Sequence, residues 1–166
     1  MSFNSREFRN CLGAFATGVT VVTAADAQNE PFAITINSFS SVSLEPPLIL
    51  FCIDKSAFYY QSFLDAAYFG INILSEQQRK YSDAFAKSSA QPWDEVSYTL
   101  AKKGSPQFKD NHGFMECAMH ATHDAGDHTI VVGKVLNLEH NEKGFPLLYY
   151  RGKYHTMGHP LKEDLS

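Results

Sequence analysis

The order of apolar and polar positions along the chain predicts many short strands and few helices. Runs rich in β-branched and aromatic residues, bounded by Gly, Pro, Asn and Asp, are typical of strands. Such runs occupy residues 20–26, 31–36, 48–53, 68–74, 96–100, 114–121, 129–138 and 147–150. The first two are separated by a short polar turn and predict a hairpin. The run at 48–53 is apolar throughout, so we expect a strand that is buried on both faces.

Three segments carry helical signals. Near the N-terminus, Ser5 is a suitable N-cap, and Phe8, Leu12 and Phe15 recur at helical spacing. Residues 58–67 also have a helical pattern. A capping-box sequence starts at Ser75 and predicts a helix that ends near Phe85. Residues 86–96 and 123–128 are predicted loops, and the tail from Pro160 is polar.

Strands and helices do not alternate regularly, which argues against a doubly wound parallel sheet. The pattern favours a mainly β fold, either a barrel or a sandwich with added helices. The chain has 166 residues and contains no internal repeat, low-complexity segment or linker. We therefore expect one domain over residues 1–166.

Composition and charge exclude several classes of protein. The net charge of −4 argues against a nucleic-acid footprint, which needs clustered Lys and Arg. No run of about 18 apolar residues is present, and the N-terminal segment has charges where a signal peptide would be apolar. Three cysteines at long spacings fit a reducing compartment, so we expect a cytoplasmic protein. The 13 Phe and 8 Tyr exceed what one small core would hide, which indicates a ligand or a partner.

Polar residues between the apolar strands are candidates for ligand binding. The segment 35–43 has five hydroxyl side chains and the amide of Asn37, and a buried cluster of this kind needs partners. Lys55 and Ser56 follow a predicted strand, where they could meet a phosphate. His128 directly precedes another strand, which puts it at the rim of a barrel pocket or at a solvated hairpin tip.

The sequence also contains residues with the spacing of metal ligands. Cys117, His120 and His123 have ligand-like spacing, but residues 117 and 120 would point to opposite faces of a strand. Cys52 lies within an apolar run and is better explained as a core residue than as a nucleophile. The dinucleotide-binding and P-loop glycine motifs are absent from the sequence, as is a nucleophile elbow.

Taken together, five segments resemble the short-chain flavin reductase family, the reductase components of two-component flavin-dependent monooxygenases. The segments occur in family order and cover about residues 5–157. They are GVTVVT at 18–23, TINSFSSVS at 35–43, EPPL at 45–48, GDHT at 126–129 and LLYYRG at 147–152.

The resemblance implies a split β-barrel of the FMN-binding type, Greek-key-like in topology, that forms a homodimer. It implies an NAD(P)H:flavin oxidoreductase that reduces FMN or FAD and supplies reduced flavin to a separate oxygenase, although some members of the family keep the flavin as a tight prosthetic group. In such enzymes a hydride passes from nicotinamide C4 to flavin N5. A non-catalytic or electron-carrying flavin-binding protein is the alternative. Either FMN or FAD fits the sequence as the flavin. The lack of an Arg cluster for a 2′-phosphate favours NADH over NADPH.

The resemblance also implies roles for individual residues. The flavin ring edge is assigned to Thr35, Asn37 and Ser38, and the ribityl chain and phosphate to Ser40, Ser41, Cys52, Asp54, Lys55, Ser56, Phe85 and Lys87. The nicotinamide site is assigned to His128, Tyr150, Arg151, Gly152 and Tyr154. Hydride transfer needs no acid or base, so His128 is expected to position the nicotinamide. Ala33 replaces a glycine usual in the family, which predicts an extra methyl group near the flavin edge.

Overall fold

The computed structural model describes residues 2–86 and 91–158. Its helices are α1 (Ser5–Leu12), α2 (Tyr60–Asp65) and α3 (Arg79–Phe85). Its strands are β1 (Thr17–Gly18), β2 (Thr20–Ala25), β3 (Pro31–Ile36), β4 (Ser40–Leu44), β5 (Pro47–Asp54), β6 (Tyr68–Ile73), β7 (Tyr98–Leu100), β8 (Pro106–Phe108), β9 (Gly113–Ala125), β10 (His128–His140), β11 (Leu148–Tyr150) and β12 (Lys153–His155). In the described parts of the chain, no helix is long and apolar enough to cross a membrane.

Seven strands form one antiparallel sheet in the order β3-β2-β6-β9-β10-β5-β4. The predicted hairpin of β2 and β3 is present, with Thr20 opposite Ile36. Two small sheets, β1-β11-β12 and β7-β8, complete the mainly β fold, which confirms the predicted class.

The longest hairpin, β9–β10, carries two irregularities. Its register shifts at His120 and again at Leu136, so each of these residues is an extra one without a direct partner across the ladder. Bulges of this kind bend a strand and increase its twist. The sheet can therefore curve around its contents on one face.

Apolar side chains from the main sheet pack into two clusters. The first contains Phe51, Phe69 and Ile71 and is covered by α2 through Phe63. The second is built around Val21, Leu74, Phe85 and Phe108 and includes the end of α3. Neighbouring residues of β2 supply different clusters, Val22 the first and Val21 the second, as strand alternation requires.

The helix α1 differs from the prediction at its start. Its N-cap is Asn4, not Ser5, because the Asn4 side chain accepts hydrogen bonds from the N–H groups of Arg6 and Glu7. The Glu7 carboxylate accepts from the Asn4 N–H in return, which completes a capping box. The Phe3 and Phe8 rings, 5.7 Å apart, form the hydrophobic contact that commonly accompanies such a cap.

Two other predictions were wrong in detail. In β5 only Ile49, Phe51 and Ile53 are fully buried, whereas the alternate residues are half-buried, so the strand is not covered on both faces. The predicted loop at 123–128 is mostly strand, because His128 pairs with Ala125 across a tight turn. Gly126 has a φ of 69° in that turn, which a side chain would disfavour. The predicted polar tail lies outside the described residues from 159 onward.

The strands β1, β4, β8 and β12 were not predicted. The strands β1, β8 and β12 have two or three residues each and no apolar run of their own, and most of β4 lies in the hydroxyl-rich segment 35–43, where exposed and buried residues do not alternate. The predicted capping box at Ser75 is present, although its first turn is a 3₁₀ helix that leads into α3.

Candidate active site

A cavity of about 220 Å³ lies where the middle of β3 and the ends of β5 and α3 approach the start of α2. Its lining is mostly apolar with a polar rim, and consists of Ala33, Ile34, Asp54, Ser56, Ala57, Phe58, Tyr59, Phe85 and Ala86. The structure therefore brings together Asp54, Ser56 and Phe85 from the predicted site. Sites for drug-sized ligands usually occupy about 300–1,000 Å³, so this cavity suits part of a larger molecule.

The hydroxyl groups of Thr35 and Ser38 already have partners within the protein. Thr35 donates to the carbonyl of Ser82 at 2.8 Å. Ser38 donates to the carbonyl of Cys52 at 3.1 Å and accepts from the Cys52 N–H at 3.0 Å. The hydroxyl of Ser38 thus takes the place of a strand partner beyond the last pair of the β4–β5 ladder, Ser40 with Leu50. Both hydroxyl groups brace the backbone around this cavity, the cleft of the candidate site.

The other polar residues of this segment are open to solvent. Asn37 is exposed in the turn before β4, and Ser40 and Ser41 are exposed on that edge strand. The Ser40 hydroxyl donates to the Ser41 carbonyl. Their amide and hydroxyl groups are accessible to a ligand lying along the sheet edge.

Cys52 lies on the less covered face of β5, together with Leu48 and Leu50. Partial burial raises the pKa of its thiol, so the neutral form is favoured. A face made of two leucines and a neutral thiol is suited to an apolar surface from a ligand or a second protein.

The turn after β5 is organised by the carboxylate of Asp54. It accepts hydrogen bonds from both the N–H and the hydroxyl of Ser56, each at 2.7 Å. The Ser56 N–H, then its hydroxyl, lower the pKa of Asp54, so this group is ionised at neutral pH. Since both donors of Ser56 are used here, Ser56 contributes to the shape of the rim.

The ammonium group of Lys55 contacts the carboxylate of Asp124 and donates to the carbonyl of Gly126 at 2.7 Å. The hydrogen bond to Asp124 raises the pKa of Lys55, which keeps the charge. The amine is partly exposed and has three donors, two of which have these partners. Lys55 thus already binds one anionic oxygen at the position predicted for a phosphate.

His128 begins β10 directly opposite Asp54 of β5. Its Nδ1 lies 2.7 Å from the carboxylate of Asp127, which is an acceptor, so the proton is on Nδ1. The same hydrogen bond lowers the pKa of Asp127. The imidazole is 40% exposed, so a ligand can approach it from outside.

Phe85 is a core residue that also reaches the cavity. It is almost fully buried, with its ring 5.5 Å from that of Phe108 and 4.9 Å from that of Trp93. The predicted site residue Lys87 lies outside the described residues.

The C-terminal hairpin β11–β12 presents the remaining predicted residues. Arg151 and Gly152 form its two-residue turn with φ values of 48° and 76°. The N–H of Arg151 donates to the carbonyl of Gly13, which ties the turn to the end of α1. Tyr150 stacks under the Arg151 guanidinium, 5.2 Å from ring centroid to Cζ. Among the described residues, those that line the 220 Å³ cavity include neither His128 nor any residue of this hairpin.

Tyr154, on the second strand of the hairpin, connects it to α3. Its hydroxyl lies 2.8 Å from that of Ser82, and the Arg79 guanidinium lies 5.1 Å from its ring centroid. Burial raises the pKa of Tyr154, so the phenol is neutral. Ser82 was not singled out in the sequence, because nothing local distinguishes a serine inside a short helix.

Ala33 lines the cavity and also packs in the core. It is buried in the second core cluster next to Phe85. The side-chain amide of Gln91 accepts from its N–H and donates to its carbonyl, as a neighbouring strand would. Ala33 thus belongs to both the core and the cavity lining, and Gln91, which sequence reasoning missed, covers this part of the β3 edge.

The three candidate metal ligands differ in exposure, since one is buried and two are exposed. Cys117 is fully buried, and burial raises its pKa to about 12, so it is a neutral thiol. His120 lies at the bulge and is exposed, as is His123. Within residues 2–86 and 91–158, no three His, Cys, Asp or Glu side chains form a cluster that could hold a metal ion.

Comparison with known proteins gives this geometry a family. Residues 12–158 match the flavin reductase-like domain. The FMN reductase (NADH) SmoA of Agrobacterium fabrum is 43% identical, over 91% of this chain and 85% of its own. The reductase component of flavin-dependent trigonelline monooxygenase from Acinetobacter baylyi is 41% identical, over 91% of this chain and 48% of its own. The chain spans about half the length of some curated relatives that it matches, this one included.

A solved structure agrees over the whole chain. The Streptomyces globisporus NADH:FAD oxidoreductase SgcE6, in complex with NAD and FAD fragments, superimposes with a TM-score of 0.87. Its sequence is 33% identical to this one, and the superposition covers 98% of this chain and 96% of the solved chain. These matches confirm the resemblance seen in the five sequence segments, and the chain belongs to the flavin reductase-like domain family.

Proposed function

We propose that this protein is an NAD(P)H:flavin oxidoreductase that reduces FMN or FAD and passes reduced flavin to a separate oxygenase. The observation that carries the proposal is the apolar cleft between β3, β5 and α3, in a chain that matches the family over residues 12–158. The names of the relatives support NADH as the donor and an oxygenase as the consumer. A cytoplasmic location, where NADH is supplied, is part of this proposal.

The cleft fits the flat ring system of a flavin. Its walls include Ile34, Phe58 and Tyr59, and aromatic side chains stack well on flat π-systems. The half-buried face of β5 continues the apolar surface. Flavin, when bound, accepts the hydride that reduced nicotinamide donates.

The polar groups around the cleft have separate tasks in this proposal. Asn37 is exposed, so its amide is accessible to hydrogen-bond the ring edge. Thr35 and Ser38 fix the backbone, since their hydroxyl protons are already donated. Lys55 binds the phosphate by exchanging one anionic partner, Asp124, for another.

His128 positions the nicotinamide in this proposal. Asp127 accepts the hydrogen bond of Nδ1 and so fixes the orientation of the ring, which leaves Nε2 to hydrogen-bond the carboxamide. The step needs two rings in contact and no proton transfer from the protein.

The same proposal includes one domain and a homodimer. Both core clusters draw on strands from the two halves of the chain, which supports a single domain. In α1, all of which is described, no side chain is buried, although Phe8 and Leu12 form an apolar stripe. A second copy would cover this stripe and would also complete a cleft that is small in one chain.

The test is oxidation of NADH by the purified protein, followed at 340 nm without oxygen, with FMN, FAD or riboflavin as acceptor. We expect oxidation only when flavin is present. A protein that binds flavin tightly but is not reduced by NADH or NADPH would instead be an electron-carrying or storage protein. Absence of both binding and turnover would contradict a flavin function altogether.

A further inference from the structure

Ser82 joins three elements that otherwise belong to different parts of the site. It is fully buried in α3. Its carbonyl accepts the N–H of Ala86 within the helix and also the hydroxyl of Thr35 from β3. Its own hydroxyl meets that of Tyr154 from β12 at 2.8 Å. One serine therefore links the strand assigned to flavin with the hairpin assigned to nicotinamide.

The link to Tyr154 is not what a helical serine needs for itself. A serine in a helix can satisfy its hydroxyl on a carbonyl of the preceding turn. Here the phenol of Tyr154 lies within hydrogen-bonding distance instead, and its ring is flanked by the Arg79 guanidinium and the Tyr149 ring, 5.1 and 5.5 Å away. The position of Tyr154 is thus fixed from several sides, with Ser82 at the polar end.

The other contacts of the hairpin are apolar packing and backbone hydrogen bonds: Tyr149 and Tyr154 pack against the second core cluster, which includes Phe85. Its first strand pairs with β1 at Thr17 and Gly18, and its turn is tied to Gly13. These backbone contacts lead to β1 and to the end of α1, and the described residues that line the 220 Å³ cavity include none from either element. The Ser82–Tyr154 contact instead reaches α3, whose end does line the cavity.

We propose that Ser82 is a positioning residue that sets the distance and angle between the flavin strand β3 and the nicotinamide hairpin β11–β12. The inference rests on the proposed function, since it takes those two elements as the binding surfaces of the two reactants. Hydride transfer is very sensitive to this spacing, because a displacement of about 1 Å can cost roughly 100-fold in rate.

The experiment compares S82A, Y154F and the double variant. S82A removes the hydroxyl and leaves the carbonyl for Thr35, and Ala is a better helix former than Ser. We expect each single variant to raise the NADH KM about fivefold, the size of one lost hydrogen bond. The double variant should be no worse than either single one, since both remove the same contact. The flavin Kd should change less than about twofold, since the carbonyl of Ser82 still holds Thr35.

Two further measurements do not depend on turnover. The affinity for NAD⁺, from calorimetry without flavin, should fall in step with the KM. Amide hydrogen exchange at residues 148–155 should become faster in S82A. S105A is the matched control: Ser105 is also buried, and its hydroxyl has no hydrogen-bond partner among the described residues. It should alter neither NAD⁺ affinity nor exchange in the hairpin.

The outcomes separate this inference from the proposed function. Unchanged NAD⁺ affinity and hairpin exchange in S82A would overturn the role of Ser82, as would equal effects in S82A and S105A. A wild-type protein that binds NAD⁺ but does not reduce flavin would contradict the proposed function, while the comparison of NAD⁺ affinities would still decide the role of Ser82. A wild type that binds no NAD⁺ and oxidises neither NADH nor NADPH would overturn both.

Discussion

His128 is the residue whose proposed role can be tested with the smallest effect on the fold. Its ring is 40% exposed and held by Asp127, so H128A should leave stability nearly unchanged. Losing one ligand hydrogen bond should raise the NADH KM about five- to tenfold, with the flavin Kd unaltered. Steady-state kinetics with varied NADH measures this. H123A, an exposed histidine on the same hairpin, is the control, and equal kinetics in the two variants would refute the role of His128.

Lys55 offers a second test at the scale of a single side chain. K55M keeps much of the apolar stem and removes the charge, so FMN binding should weaken about tenfold if the amine meets the phosphate. Riboflavin has no phosphate, and its affinity should not change. D124N should act in the opposite direction, because it frees Lys55 from its present carboxylate partner. Equal losses for FMN and riboflavin in fluorescence titrations would show that Lys55 does not recognise the phosphate.

The sequence predicted where polar residues cluster but not what they bind. Thr35 and Ser38 were recognised as a hydroxyl-rich segment, yet their partners Ser82 and Cys52 are 47 and 14 residues away in the chain. Such pairs depend on how β3, β5 and α3 are brought together. A local sequence pattern contains no information on that arrangement, so only the structure shows that Thr35 and Ser38 brace the backbone.

At the scale of elements, the pattern predicted the longer strands and missed what their surroundings decide. The apolar run of β5 predicted burial on both faces, but Leu48, Leu50 and Cys52 remain half-buried in one chain. An apolar run predicts that both faces of a strand are covered, but the cover on one face can be a ligand or a second copy of the chain. The bulges at His120 and Leu136 carry no comparable local signal, and they change which face later residues occupy.

One glycine in the long hairpin is required by packing. A Cβ built on Gly133 of β10 would lie 2.4 Å from Cζ of Phe69 and 3.1 Å from Cβ of Cys117. G133A should therefore destabilise the protein by about 1–3 kcal/mol, the usual cost of overpacking a core. G18A in β1 is the matched control, since its Cβ would meet no described atom within 4 Å. Chemical denaturation of both variants measures the difference, and similar midpoints would mean that the Phe69 ring moves aside easily.

At the scale of the whole molecule, the surplus of aromatic and aliphatic residues has two destinations. Some of these residues fill the two core clusters and line the cavity. Phe85 belongs to the second cluster and also to the cavity lining. Another part stays on the surface, with Phe8, Leu12 and Phe15 exposed by 50, 57 and 77%. An eight-residue helix is only marginally stable alone, even with a capping box. Its order and its apolar stripe together favour burial against another copy of the chain.

This leads to a prediction about assembly. Phe8 and Leu12 lie on one side of α1, and Asn10 lies on the other, at the helical angle of about 100° per residue. In a twofold dimer the same stripe faces both partners, so L12E places two charges in one apolar interface and should yield monomers. N10E adds the same charge to the same helix and should leave the dimer intact. Sedimentation velocity of the two variants and the wild type decides between these states. A dimer that persists in L12E would place the interface elsewhere, and a wild-type monomer would refute the proposed assembly.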